Sequence, residues 1–187
     1  MISDEIHADL TFAGYRHIPY ESLGPDVSAR AVTITSASKA FNLAGLRWAI
    51  LHAGNDALAE TLEALPGHYL GTPNLFAVEA TVAAWTAGDG WLTDVLAMLD
   101  ENRHQLVGLL ADHFAGAKYS QPAATYLAWI DMSALGFGDD PAATFRERGV
   151  EVSSGVQFGP QGAGHVRLNF ATSPHILAAT VQAMAIA

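Results

Sequence analysis

Three short apolar runs open the chain: Met1-Ile2-Ser3, Ala31-Val32-Thr33-Ile34-Thr35 and Trp48-Ala49-Ile50-Leu51-His52-Ala53. Each gives way to a polar or glycine-bearing stretch, the pattern of strands bounded by loops. The first is shorter than the five or six residues usual for a strand and reads as a strand cut short. The third is apolar almost throughout, which predicts burial on both faces, as in an α/β sheet. Between the first two, Pro19, Gly24 and Pro25 mark loop, with one helical turn at Tyr20-Glu21-Ser22-Leu23.

The middle of the chain changes to helical spacing. Asn55 caps a predicted helix through Leu65, with Leu58, Leu62 and Leu65 on one face and Pro66-Gly67 as its stop. Thr72-Pro73 predicts the start of a second helix running to Trp85, and Gly88-Asp89-Gly90 breaks it. From Trp91 to Phe114 one long stripe follows: Leu92, Val95, Leu96, Leu99, Leu106, Leu110 and Phe114. A helix of that length outgrows a small domain. The expected organisation is therefore a domain over 1–90, a connecting helix over 91–114 and a small domain over 115–187.

The small domain reads as α+β. Thr125 to Asp131 predicts a strand, and Asp140-Pro141 opens a short helix with Arg146 and Arg148 near its end and Gly149 as its cap. Val150-Glu151-Val152-Ser153 alternates like a strand. His165 to Ala171 does so too, with Val166, Leu168 and Phe170 on one face and Arg167 and Asn169 on the other. Ser173-Pro174 starts a terminal helix that is apolar at Ile176, Leu177, Val181 and Met184.

Composition narrows the function classes. Of 187 residues half are hydrophobic and 15% are charged, which excludes a disordered chain. A net charge of −10 leaves no basic stripe for phosphates, so no nucleic-acid partner is expected. No run approaches the ~20 apolar residues of a membrane span, and the N-terminus lacks the pattern of a signal peptide. The expected location is cytoplasmic. Without cysteine, disulfides and thiolate metal sites are excluded. His17, His52, His68, His104, His113, His165 and His175 show no ligand spacing, and no metal is expected. Trp85, Trp91 and Trp129 fit packing.

Lysine is scarce: Lys39 and Lys118 are the only two. Lys39 lies in Ser36-Ala37-Ser38-Lys39-Ala40-Phe41-Asn42-Leu43-Ala44-Gly45-Leu46-Arg47, where a strand delivers small hydroxyl residues and a lysine to the end of a sheet. Asp4 ends the preceding strand, Arg47 follows Lys39 by eight residues, and Arg167 sits on a late strand. Singly, these fit a loop cap, a turn residue and surface charges with buried stems.

Together with their surroundings they resemble the fold-type I pyridoxal-phosphate enzymes, the class I/II aminotransferase superfamily. The likeness is closest to the MalY/PatB branch of cystathionine β-lyases. It rests on Ser3-Asp4-Glu5-Ile6-His7-Ala8-Asp9-Leu10, on Ser36 to Leu46, on Thr125 to Asp131 and on Val166-Arg167-Leu168-Asn169-Phe170-Ala171. It runs along the whole sequence and matches the family's C-terminal half. The implied fold class is α/β: the C-terminal part of the large domain, a remnant of a mixed, mostly parallel sheet, joined by a long helix to a small α+β domain.

The resemblance also implies roles. Lys39 matches the lysine that bonds covalently to pyridoxal 5'-phosphate, and Asp4 the acid that pairs with the pyridine nitrogen and keeps the ring an electron sink. His7 falls near the ring oxygen. Ser36 and Arg47, with Ser38 beside them, match the phosphate clamp, in which a hydroxyl and a guanidinium suit a dianion. Arg167 matches the arginine that takes the α-carboxylate of an amino-acid substrate. The implied reaction is β-elimination from a sulfur-containing amino acid, carried out by a homodimer.

A class I/II aminotransferase stands beside it, as does a non-catalytic relative serving as a binding or oligomerisation module. The family's earlier strands and ring-stacking aromatic have no counterpart here. A sheet reduced to about three strands is expected to expose apolar faces and an unpaired edge.

Overall fold

A computed structural model describes residues 1–186, in two compact units divided between Asp94 and Val95. In the first, chain order gives β1 (Ile2–Asp4), a 3-10 turn at Tyr20–Leu23, α1 (Pro25–Ser28) and β2 (Val32–Thr35). A 3-10 turn at Ala44–Leu46, β3 (Ile50–Ala53), α2 (Asp56–Glu63) and α3 (Leu75–Ala87) follow. The sheet order is β1-β2-β3. β1 pairs parallel to β2 with Asp4 opposite Ile34, and β3 pairs antiparallel to β2 with Ile50 opposite Thr35.

Alternation gives this sheet one polar and one apolar face. Ser3, Thr33 and His52 align across the three strands, and Ile2, Ile34 and Leu51 belong to the opposite face. The polar face is gripped by the loop after β1. Glu21 accepts hydrogen bonds from Thr33 Oγ1 at 2.6 Å and Ser28 Oγ at 3.4 Å, and its carboxylate meets His52 Nδ1 at 3.0–3.1 Å. The apolar face is open at Ile2 and Leu51, so the expected exposure of a three-stranded sheet is observed.

Two expectations need correction. The run Trp48–Ala53 was expected to be buried on both faces. Instead β3 is an edge strand, and Ile50 and Leu51 are 36% and 39% exposed. Continuous apolarity records what a strand is able to cover, not what covers it. The second helix also starts later than Thr72-Pro73 suggests. Asn74 caps it, accepting Ala77 N–H at 2.8 Å. Asn55 caps α2 as expected, accepting Leu58 N–H at 2.8 Å.

α4 (Asp89–His113) contains the division between the units. The second unit continues with β4 (Lys118–Tyr119), β5 (Leu127–Asp131), α5 (Pro141–Glu147), β6 (Ser153–Ser154), β7 (His165–Asn169) and α6 (Pro174–Ala185). Its sheet runs β4-β5-β7-β6, antiparallel throughout. The alternating Val150 to Ser153 stretch joins the ladder only at its end: Val150 and Val152 are buried, but pairing starts at Ser153.

This unit holds most of the large buried residues. Leu99, Leu106 and Leu110 of α4, Phe145 of α5, Ile130, Val166 and Leu168 of the sheet, and Leu177, Val181 and Met184 of α6 make its core. Ile176, expected on the apolar face of α6, is exposed. Asn102 sits fully buried within the leucine stripe, where its amide donates to Phe170 O at 2.9 Å and Thr172 O at 2.7 Å. Trp85, Trp91 and Trp129, expected to serve packing, are each more than a third exposed.

Candidate active site

Parallel strands whose carboxyl ends meet at one edge of an α/β sheet make the usual place for a ligand. Here β1 ends at Asp4, which is exposed and accepts Ile6 N–H on Oδ1 at 3.2 Å. Glu5 N–H extends the pairing by donating to Ile34 O at 2.8 Å. β2 ends at Thr35, and Ser36 opens the lysine loop immediately beyond it. The parallel register therefore delivers Asp4 and the loop holding Lys39 to the same end of the sheet.

The loop is a tightly turned segment rather than an open one. Phe41 N–H donates to Ala37 O at 2.9 Å and Leu43 N–H to Ser38 O at 3.0 Å. Ser36, Ala37 and Ala40 are buried, whereas Lys39 and Ser38 are half-buried. Ser36 staples the loop: its hydroxyl donates to Trp48 O at 2.6 Å and accepts Ser38 N–H at 3.1 Å. Its proton is thus committed within the chain. Phe41 stacks on Trp91 at 5.7 Å. Gly88, read in the sequence only as a helix breaker, makes room for that ring, since a Cβ there would lie 2.5 Å from Phe41 Cε1.

Arg47 caps the 3-10 turn with φ +53°, in the left-handed region, and is exposed. Non-glycine residues seldom adopt this conformation outside functional or tightly constrained sites. Asn42 in the same loop has φ +55°. Asn74 Nδ2 donates to Leu46 O at 3.2 Å and so ties the Arg47 end of the loop to α3. His7 is half-buried in the turn after β1, and its carbonyl accepts Leu10 N–H at 3.0 Å.

Glu5 is the organiser that the sequence reading missed. It is buried, and its carboxylate gathers Ser3 Oγ at 3.0 Å, Tyr20 N–H at 2.8 Å and His17 Nε2 at 2.8 Å. Burial pushes its pKa up, but the hydrogen bonds from His17, Tyr20 and Ser3 outweigh that and hold it below the usual carboxylate value. The available signal was alternation, which puts Ser3 and Glu5 on the same face, opposite Asp4. Glu5→Gln is expected to cost about 1–3 kcal/mol in urea unfolding at neutral pH. Because the folded-state pKa is depressed, the wild-type advantage is present above the ordinary carboxylate pKa. It fades as pH falls through the depressed value, so the two unfolding curves should converge in acid.

Arg167 belongs to the second unit, on the face of the sheet away from its core. Trp129 and Ser153 are its cross-strand partners. Nη2 donates to Ser153 Oγ at 3.2 Å, and the guanidinium carbon lies 4.6 Å from the centre of the Phe158 ring. The Nε–H is buried without an acceptor among the described residues. Tyr126 nearby has its pKa raised by burial, partly offset by the positive charge of Arg167. No group of three or more acidic or histidine side chains suited to a metal ion occurs among the described residues.

The mixed three-stranded sheet with a lysine loop at its carboxyl edge, and the antiparallel α+β unit bearing a half-buried arginine, match the corresponding part of pyridoxal-phosphate transferase structures. The family model for aminotransferase class I and II matches residues 1–183, and the chain belongs to that family. It is 41% identical, over 98% of its length and 49% of the relative's, to a Mycobacterium tuberculosis protein that carries a provisional cystathionine β-lyase name. It is 35% identical to cystathionine β-lyase PatB of Bacillus subtilis, over 90% of this chain and 44% of that protein. Among solved structures, the PLP-bound C–S lyase of Staphylococcus hominis superposes with a TM-score of 0.88 at 35% identity, over 97% of this chain and 48% of the other. The chain spans about half the length of the curated relatives it matches. The family is pyridoxal-phosphate dependent. No helix among the described residues is long and apolar enough to cross a membrane.

Proposed function

We propose that this chain is the cofactor-anchoring and carboxylate-binding portion of a pyridoxal-phosphate-dependent carbon–sulfur β-lyase of the cystathionine β-lyase kind. The observation that carries this is the parallel register that brings Asp4 and the Lys39 loop to one end of the sheet. The residues there fit the cofactor chemically. Asp4 offers a carboxylate for a protonated ring nitrogen, Lys39 an amine for the aldehyde, and Arg47 a guanidinium for the phosphate. Ser38 and His7 line the same loops. Ser36, its proton given to Trp48 O, serves that site by holding the loop's shape.

The cofactor when bound supplies an electron sink for the carbon adjacent to the amino group. The chain's residues hold and orient. Arg167 would take the substrate α-carboxylate, and the Lys39 amine would move a proton at the substrate's α-carbon. The reaction class this residue set would serve is β-elimination, in which a thiolate would leave the β-carbon and hydrolysis of the remaining fragment would give pyruvate and ammonia. A homodimer in the cytoplasm belongs to the same proposal. It is supported by kinship with the lyase branch.

The chain carries its own control for the test. Lys39 is half-buried in the loop, whereas Lys118 is 77% exposed and paired to Asp131 at 3.5 Å. After incubation with pyridoxal phosphate and borohydride reduction, peptide mapping should find the adduct on Lys39 in large excess over Lys118. Lys39→Ala should abolish it. Equal labelling of both lysines would mean adventitious modification and would remove the proposal.

A further inference from the structure

We propose that Phe158 is a positioning residue for Arg167, setting the guanidinium plane so that its free edge meets a carboxylate. This rests on the proposed role of Arg167 and adds to it the device that fixes the side chain. The observations that carry it all lie within the second unit.

The ring of Phe158 lies 4.6 Å from the guanidinium carbon, the range in which a cation is held over an aromatic face. Trp129 meets Phe158 edge-on at 5.5 Å and an 85° interplanar angle, and stacks in turn on His165 at 5.3 Å. The Phe158 ring is therefore buttressed rather than free to rotate away, although it is half exposed. Ser153 Oγ accepts from Nη2 at 3.2 Å, which fixes rotation of the guanidinium within its plane. Stacking sets the plane and one hydrogen bond sets the angle. The Nε–H is buried with no acceptor among the described residues. With almost no accessible surface that proton reports on the packing of the side chain, and the end of the guanidinium at Nη1, which is not among the buried atoms, is the part left to meet a carboxylate.

The loop that presents Phe158 is itself locked. Gly155 and Gly162 approach so closely that a Cβ on Gly155 would lie 2.1 Å from Gly162 O, and one on Gly162 1.9 Å from Gly155 O. Gly155 opens the 3-10 turn that ends at Phe158. The position of the ring is thus set by backbone packing before any ligand arrives. Such preorganisation lowers the ordering cost of binding.

The full chain, labelled with 15N-arginine, is titrated with acetate as the probe, and the Arg167 Nε–H signal is assigned by its loss in Arg167→Lys. In the wild type this proton should be slow to exchange and displaced by the ring current of Phe158. Phe158→Leu should remove the displacement, speed exchange and weaken acetate binding about two- to fivefold. Phe158→Tyr should restore all three, and Ser153→Ala should speed exchange while keeping the ring-current shift. If Phe158→Leu leaves the signal and the acetate affinity unchanged, the positioning role is wrong. If saturating acetate leaves the wild-type Arg167 Nε–H signal unmoved, the proposed carboxylate role of Arg167 fails, whatever the ring-current shift shows.

Discussion

Asn102→Asp is expected to destabilise the protein by about 3–5 kcal/mol at neutral pH, the cost of leaving an uncompensated charge in a core. The side chain is fully buried between Leu99 and Leu106, and its amide donates to two carbonyls, Phe170 O and Thr172 O. Aspartate has nearly the same shape but turns the donor into an acceptor facing two oxygens. Both desolvation and repulsion then favour the protonated acid, so its folded-state pKa is raised. With that sign the destabilisation is small below the unfolded-state pKa and grows as pH rises above it. Urea unfolding monitored by circular dichroism should show a deficit that shrinks on acidification. Asn102→Ala, which removes the donors without adding charge, should lose about 2–4 kcal/mol with no such pH dependence. An Asn102→Asp variant as stable as wild type at pH 7 would mean these two hydrogen bonds do not hold α4 to the end of β7.

The same asparagine shows where sequence reading stops. The leucine stripe from Leu92 to Phe114 was legible because 3.6-residue spacing is a property of the chain itself. A polar residue inside that stripe carries no mark of its partners, which lie about seventy residues away in sequence. The Lys39 loop was legible for the opposite reason. Ser36, Ser38, Lys39 and Arg47 lie in one contiguous stretch whose order survives folding, whereas Asp4 joins that stretch only through the register of β1 on β2. β3 was legible as a strand but not as an edge, because burial depends on what packs against Ile50 and Leu51. The helix start at Asn74 was obscured by Thr72-Pro73, an equally good cap signal two residues earlier. Asn74 wins in the structure because it both caps α3 and binds Leu46 O. Ser153, Phe158 and Arg167 come together only through strand register and a folded loop, so the clamp around the arginine left no trace in spacing.

Gly155→Ala is expected, with Gly162→Ala, to be one of the two most disruptive single-methyl changes in the second unit. The added carbon would meet Gly162 O at 2.1 Å and His165 O at 2.6 Å, and both are backbone atoms that cannot swing aside. The cost should reach the top of the ~1–3 kcal/mol range for overpacking, or exceed it. Gly136 is the natural comparison. It has φ +77° with open space around its Cβ position, so alanine there meets only backbone strain, about 1–2 kcal/mol. The two variants separate steric locking from conformational freedom. They should also differ at a distance. Gly155→Ala displaces the turn that carries Phe158, so the Arg167 Nε–H signal should lose its ring-current shift in whatever fraction stays folded. Gly136→Ala should leave that signal in place. Equal melting temperatures for Gly155→Ala and wild type would show that the 155–162 loop is not locked, and the preset geometry of Arg167 would lose its mechanical basis.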